Sequence, residues 1–247
     1  MTHEHMAASD RHSPSARPPL LTKDAPPART ETTDRYLEAI YYIAGEGETV
    51  RPSRIAEWLS VSAPTVSVAL QRLAHDGWVE IAGNRSVTLT PAGQGAAAGN
   101  VRRHRLLERW LTDALGLDWG AADAEAEAIA PGVSELVLNR LDESLGRPST
   151  CPHGNTVPGR ETPYGELLAL ADLEPDVLAT VRRISEVAEH DAPQLLSQLA
   201  GHGLRPGEEV HIIGGGGATG ALAVAVRGRT VALSINTARL IWVEMVQ

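Results

Sequence analysis

The sequence predicts a mainly α-helical chain with added β structure: a winged helix-turn-helix domain, a helical dimerization region and a small C-terminal β-barrel. Three observations predict it. The stretch from Arg51 to Pro91 pairs two helical patterns with two short alternating runs, further helical stretches follow it, and from about Leu168 short apolar runs are punctuated by Gly and Pro. The expected divisions are a disordered tail over 1–29, the winged helix over 30–97, the helical region over 98–167 and the barrel domain over 168–247. The tail is rich in Pro, Ser, Ala and His and lacks a signal-peptide core, so His3, His5 and His12 read as solvated side chains.

Taken in order, the first helix spans about Thr33 to Ala44, with Tyr36, Leu37, Ile40, Tyr41 and Ile43 as its apolar positions. In RPSRIAEWL, Ile55, Ala56 and Leu59 recur at helical spacing, and a turn at Ser60-Val61-Ser62 leads to a second helix. That helix opens with Ser62 as cap and Pro64 in its first turn, and turns Val66, Leu70 and Leu73 inward. Gly77 ends it. Trp78-Val79-Glu80-Ile81 and Ser86-Val87-Thr88-Leu89-Thr90, joined by Ala82-Gly83-Asn84-Arg85, then form a hairpin with an arginine at its tip. Thr90-Pro91 opens a long helix running to about Leu115, and two more helices follow at about Gly120 to Ala130 and Val133 to Leu145. Their shared apolar faces suit a two-fold dimer. Beyond Leu168, VLATVRRISEV is expected as a strand, APQLLSQLAGHG as a short helix, and the remainder as short strands. Gly214 to Gly217 is expected to be a hairpin loop rather than a phosphate loop, because Ala221 to Val226 alternates as a strand and no helix follows.

A helix-turn-helix followed by such a hairpin points to double-stranded DNA. Ser62, Pro64, Thr65, Ser67 and Arg72 of the recognition helix and Arg85 of the wing are the expected contacts, with the wing arginine on a phosphate or in the minor groove. The net charge of −9 runs against nucleic acid, but its distribution does not. Arg29 to Arg109 carries 10 basic and 9 acidic residues, whereas Trp110 to Gln247 carries 9 and 19. A single cysteine, Cys151, excludes an intramolecular disulfide and fits a reducing cytoplasm, and no apolar run reaches membrane-spanning length. No nucleophile elbow, Ser-His-Asp order or Walker loop marks an enzyme.

SAPTVSVALQRLAHDGWV, VRRHRLLERWL, the turn TCPHGNTVPG (Thr150 to Gly159) and GLRPGEEV together resemble the DtxR/MntR family of iron- or manganese-responsive repressors, over about residues 30 to 247. The resemblance implies an SH3-like (FeoA-like) C-terminal barrel and a cytoplasmic homodimer. It also implies Mn2+ or Fe2+ as cofactor and a palindromic operator in metal-homeostasis genes as target. The implied ligands are Glu38, His104, Glu108, Asp123 and Glu127. His104 with Glu108, and Asp123 with Glu127, are i,i+4 pairs, and one imidazole with four carboxylates suits Mn(II) or Fe(II) better than Cu(I). The chain departs from the family where Arg35, Ala130 and Pro131 stand at primary-site positions, and Arg35 is placed to pair with Glu127 instead. The resemblance further implies an anion pocket at Arg105 and Asn155 and barrel ligands near Glu189, His190 or Asp191, while Cys151 reads as a buried turn residue, with a ligand or redox role as the alternatives. Two alternative functions stand beside it: a metal-independent regulator of the same fold, and a metal-storage or delivery protein.

Overall fold

The computed structural model describes residues 29–191, 193–215 and 220–246, so the expected N-terminal tail lies outside the described residues. Helix α1 (Glu31–Gly45) starts at Thr30, whose hydroxyl accepts from the Thr33 N–H, and buries Tyr36, Leu37, Ala39, Ile40 and Ile43. Helix α2 (Pro52–Leu59) buries Ile55 and Trp58; it ends at Ser60 in the left-handed conformation, with φ 53°. Helix α3 (Ala63–His75) is capped by Ser62 and buries Val66, Leu70 and Leu73, as its spacing predicts. The wing is β1 (Val79–Ile81) paired antiparallel with β2 (Val87–Leu89). Leu37, Ile40, Ile43, Ile55, Val66 and Leu70 close one core beneath these elements.

Helix α4 (Pro91–Asp113) leaves the wing through Thr90, whose hydroxyl both caps the helix and donates to the Gly77 carbonyl. A Cβ at Gly93 would lie 2.1 Å from the Trp78 carbonyl oxygen, so only glycine lets the helix pass this close to the wing. Helices α5 (Trp119–Ile129) and α6 (Glu135–Ser144) follow, separated by a 3-10 turn at Ala130–Gly132 that contains Pro131. The core here is thin. Leu107, Leu111, Ala122 and Ala126 form one small cluster, Leu106, Leu138 and Val157 another, and Leu136 and Val137 of α6 remain exposed.

The C-terminal region is a six-stranded antiparallel sheet of β3 (Leu168–Ala169), β4 (Leu178–Ile184), β5 (Glu209–Gly215), β6 (Ala221–Val226), β7 (Arg229–Ser234) and β8 (Ile241–Met245). Their order is β3-β8-β4-β5-β6-β7. The inward residues Ala179, Val181, Ile184, Val210, Ile212, Val224, Val226, Ile241 and Val243 alternate along the strands and fill the core, with Leu196 and Leu199 of α8 (Pro193–His202) over it. Gly214 and Gly215 belong to β5, paired with Ala223 and Leu222 of β6 rather than lying in the expected loop, and Gly216 and Gly217 lie outside the described residues. Two short helices correct the expected strands: α9 (Ile235–Ala238), capped by Ser234, and α7 (Glu186–Asp191). The expected strand ran on to Val187, but Ser185 ends it, its hydroxyl accepting from the Val187 N–H.

Helix α7 also ties the barrel to the rest of the chain. Glu186 pairs with Arg105 of α4, and the Glu186 N–H and Arg183 guanidinium both reach the Glu46 carboxylate, at 3.0 and 2.7 Å. The His190 ring stacks on Trp58 with centroids 4.1 Å apart and bonds the Trp58 carbonyl through Nε2 at 2.6 Å.

Candidate metal centre and DNA-binding face

His104 stands where three helices bring their acids together. Its Nε2 lies 3.2 Å from Asp123 Oδ1 and 3.7 Å from Glu108 Oε1, and its Nδ1 lies 3.7 Å from Glu127 Oε2. The two i,i+4 pairs legible in the sequence therefore converge on one imidazole. Burial opposes a charge on that ring, but Glu108, Asp123 and Glu127 outweigh it and lift its pKa to about 9. Glu38 faces the same cavity, of about 270 Å³, together with Arg35, His190 and Glu186. Burial raises the Glu38 pKa to about 7 against a lowering hydrogen bond from Asn100, with Glu127 adding like-charge repulsion. Arg35 is exposed at the rim; its expected pairing with Glu127 is not formed, and the Glu127 carboxylate faces His104 instead. Ala130 and Pro131 lie in the 3-10 turn and supply no side-chain ligand.

A second group was not foreseen. Glu108, Cys151 and His153, all buried, present ligand atoms within 4.8 Å of one another, and Glu108 Oε1 is 3.2 Å from His153 Nδ1. Glu108 also belongs to the trio with His104 and Asp123, so one carboxylate joins both groups. The turn that presents Cys151 and His153 is held by Cys151 N–H to Asn155 carbonyl, Gly154 N–H to Cys151 carbonyl, and Ile184 N–H to His153 carbonyl bonds. Its signal in the sequence is the Cys-x-His spacing, where Cys151 carries the ligand alternative but His153 and the link to Glu108 are not marked. Among the expected barrel ligands, His190 is turned toward Trp58, and the side chains of Glu189 and Asp191 lie outside the described residues. The barrel residue that does reach α4, Glu186, was missed.

Arg105 and Asn155 line a cavity of about 470 Å³, as the expected anion pocket requires. Its anion is built in. The Arg105 guanidinium donates to the Glu186 carboxylate and the Thr156 carbonyl, while Asn155 donates to the Ile184 carbonyl at 3.1 Å and accepts from Arg183 at 3.3 Å. In this structure the pocket's Arg105 is paired with an intramolecular carboxylate.

Ser62, Pro64, Thr65, Ser67, Arg72 and Arg85 are all exposed on α3, its N-cap and the wing. Arg85 sits at φ 64°, its N–H closing the loop on the Ala82 carbonyl. Arg72 is exposed and pairs along the helix with Asp76, its Nε 3.7 Å from the carboxylate.

The same arrangement recurs in known proteins. Residues 29–87 match the iron dependent repressor N-terminal DNA binding domain, 90–159 the iron dependent repressor metal binding and dimerisation domain, and 168–245 the FeoA domain. This chain belongs to the iron-dependent repressor family. Within that family, the iron-dependent repressor IdeR of Mycobacterium leprae is 36% identical over 193 residues, covering 74% of this chain and 84% of the relative. The diphtheria toxin repressor of Corynebacterium diphtheriae is 34% identical over 224 residues, covering 87% and 97%. A solved manganese-dependent transcriptional repressor in complex with manganese superposes with a TM-score of 0.76 at 34% identity, over 87% of this chain and 100% of that one. A member of the iron-dependent repressor family is a DNA-binding transcriptional regulator and not an enzyme, which sets aside the storage and delivery alternative.

Proposed function

We propose that this repressor is a cytoplasmic homodimer that binds a palindromic operator of metal-homeostasis genes when loaded with Mn2+ or Fe2+. The divisions at 30–97, 98–167 and 168–247 would then correspond to DNA reading, dimerization with metal binding, and the barrel. One observation carries the reading: His104, Glu108 and Asp123 share Glu108 with the buried Cys151 and His153. The donor chemistry fits a divalent cation of borderline hardness, with imidazoles and carboxylates predominating over a single thiol. Glu108 Oε1 is moreover buried without a hydrogen bond of its own, an acceptor that a cation would satisfy. A bound divalent ion would neutralise these carboxylates and draw them together. His104 and Glu108 would then fix α4, Asp123 and Glu127 would fix α5, and Cys151 and His153 would bring the turn that leans on β4. Because α4 begins at the wing, its position sets that of the DNA-binding face.

Calorimetry of chelated protein with Mn(II), paired with an operator titration, tests this. Native protein should bind Mn(II) saturably and gain operator affinity with it, and His104→Ala should lose at least tenfold in metal affinity. Operator binding that is tight and unchanged by Mn(II) would identify a metal-independent regulator instead. That second reading draws on Ala130 and Pro131, which leave the family's primary site short of ligands.

A further inference from the structure

The hydroxyls of the recognition helix partner one another and the helix backbone. Ser62 Oγ accepts from the Thr65 N–H and bonds Thr65 Oγ1 at 2.8 Å, and Ser67 Oγ donates to the Ala63 carbonyl at 3.0 Å. All three hydroxyls are engaged with the helix itself. Left on the outer face is the stripe Pro64, Val68, Arg72, each one turn beyond the last. Val68 is 69% exposed, while Val66, two positions earlier on the same helix, is fully buried. Val68 forms with Pro64, Thr65, Ala69, Tyr36 and Leu73 a largely apolar groove of about 500 Å³ between α3 and the start of α1. Among the described residues nothing covers Val68 on its solvent side, and Arg72 continues the same stripe one turn on.

We propose that Val68 is a specificity-determining residue that recognises the C5-methyl group of a thymine in each operator half-site. Of the groups displayed in the major groove, the thymine methyl alone is apolar, and it is the natural partner for a branched hydrocarbon that can neither donate nor accept. The stripe then divides its work. Arg72 and Arg85 supply charge toward phosphates or a guanine, and Val68 selects thymine by excluding water from the methyl. This rests on the repressor binding DNA through α3.

The test begins with binding sites selected from random duplex DNA by the full-length protein in Mn(II) chloride. Each thymine of the selected half-site is then replaced singly by deoxyuridine, which removes only the methyl. Wild type should lose about fivefold or more in affinity at one thymine per half-site, the order expected of one good base contact. Val68→Ala should bind thymine and uridine duplexes equally at that position while retaining its penalty for changes elsewhere. Because Val68 is exposed, an unchanged melting temperature is expected for the variant, and Val68→Ile should restore discrimination. A uridine penalty that persists in Val68→Ala, or the absence of any methyl-sensitive thymine in wild type, overturns the proposal while leaving DNA binding intact. Failure to enrich any sequence overturns it together with the reading of α3 as the DNA-binding helix.

Discussion

His104 holds its proton against burial because three carboxylates surround it, and this makes the metal-free protein's stability depend on pH in a definite sense. Its folded pKa of about 9 lies above the ordinary 6.5, so the imidazolium contributes fully below pH 6.5 and that contribution is lost as pH rises through 9. Glu38 acts in the same direction: its pKa of about 7 lies above the usual 4.5, so its ionisation disfavours the folded state as pH climbs from 4.5 through 7. In chelator, the melting temperature should therefore fall between pH 6.5 and 9, and His104→Gln should flatten the upper part of that decline. Metal binding must displace these protons, so the gap between Mn(II)-loaded and metal-free melting temperatures should widen with pH. Scanning calorimetry in both conditions checks this, and a metal-free profile flat across that range would contradict the charge arrangement around His104. The wing is as specific. Arg85 already occupies a left-handed backbone conformation that glycine adopts without strain, so Arg85→Gly removes charge while sparing the fold. Operator affinity should drop at all sequences, with the salt dependence reduced by about one counterion.

At the level of elements, the sequence was legible wherever one period governed a segment. Helices α1, α3 and α4 and the wing followed from apolar spacing, caps and Gly77, and His104 with Glu108 was visible because a helix places i and i+4 together. Glu108 with Cys151 and His153 was not visible, since nothing local says that the CPHG turn folds back onto α4. Helix α7 was hidden for a related reason: a strand-like run continues into SEV, and only the Ser185 hydroxyl, turned onto the next backbone, ends it. The turn itself is built around Gly154, at φ 89°, where a Cβ would meet the Arg182 carbonyl oxygen at 1.9 Å. Gly154→Ala should thus cost about 2–4 kcal/mol, from left-handed strain together with the forced separation of the turn from β4. Denaturant unfolding would measure the loss. A change within 0.5 kcal/mol would mean that the close approach is not maintained in solution.

Across the whole molecule, the thin middle core and the exposed α6 belong together. Leu136 and Val137 are 71% and 49% exposed in a single chain, on the segment that matches a dimerisation domain. Leu136→Glu should convert the dimer to monomer in sedimentation experiments and weaken operator binding by at least tenfold, because each half-site must then be held separately. An unchanged dimer would place the two-fold contact elsewhere. The barrel raises a different matter, through the pairs Arg105–Glu186 and Arg183–Glu46 and the His190–Trp58 stack. These contacts make the C-terminal domain a poor cassette for exchange. A hybrid gene that joins the first two domains to a foreign barrel strands Arg105 and Glu46 without their counter-charges, and one that keeps only the barrel exposes Arg183 and Glu186 in the same way. Recombination at this joint is tolerated only where the incoming domain brings an acid for Arg105 and a base for Glu46, so these distant positions are expected to be inherited as a set.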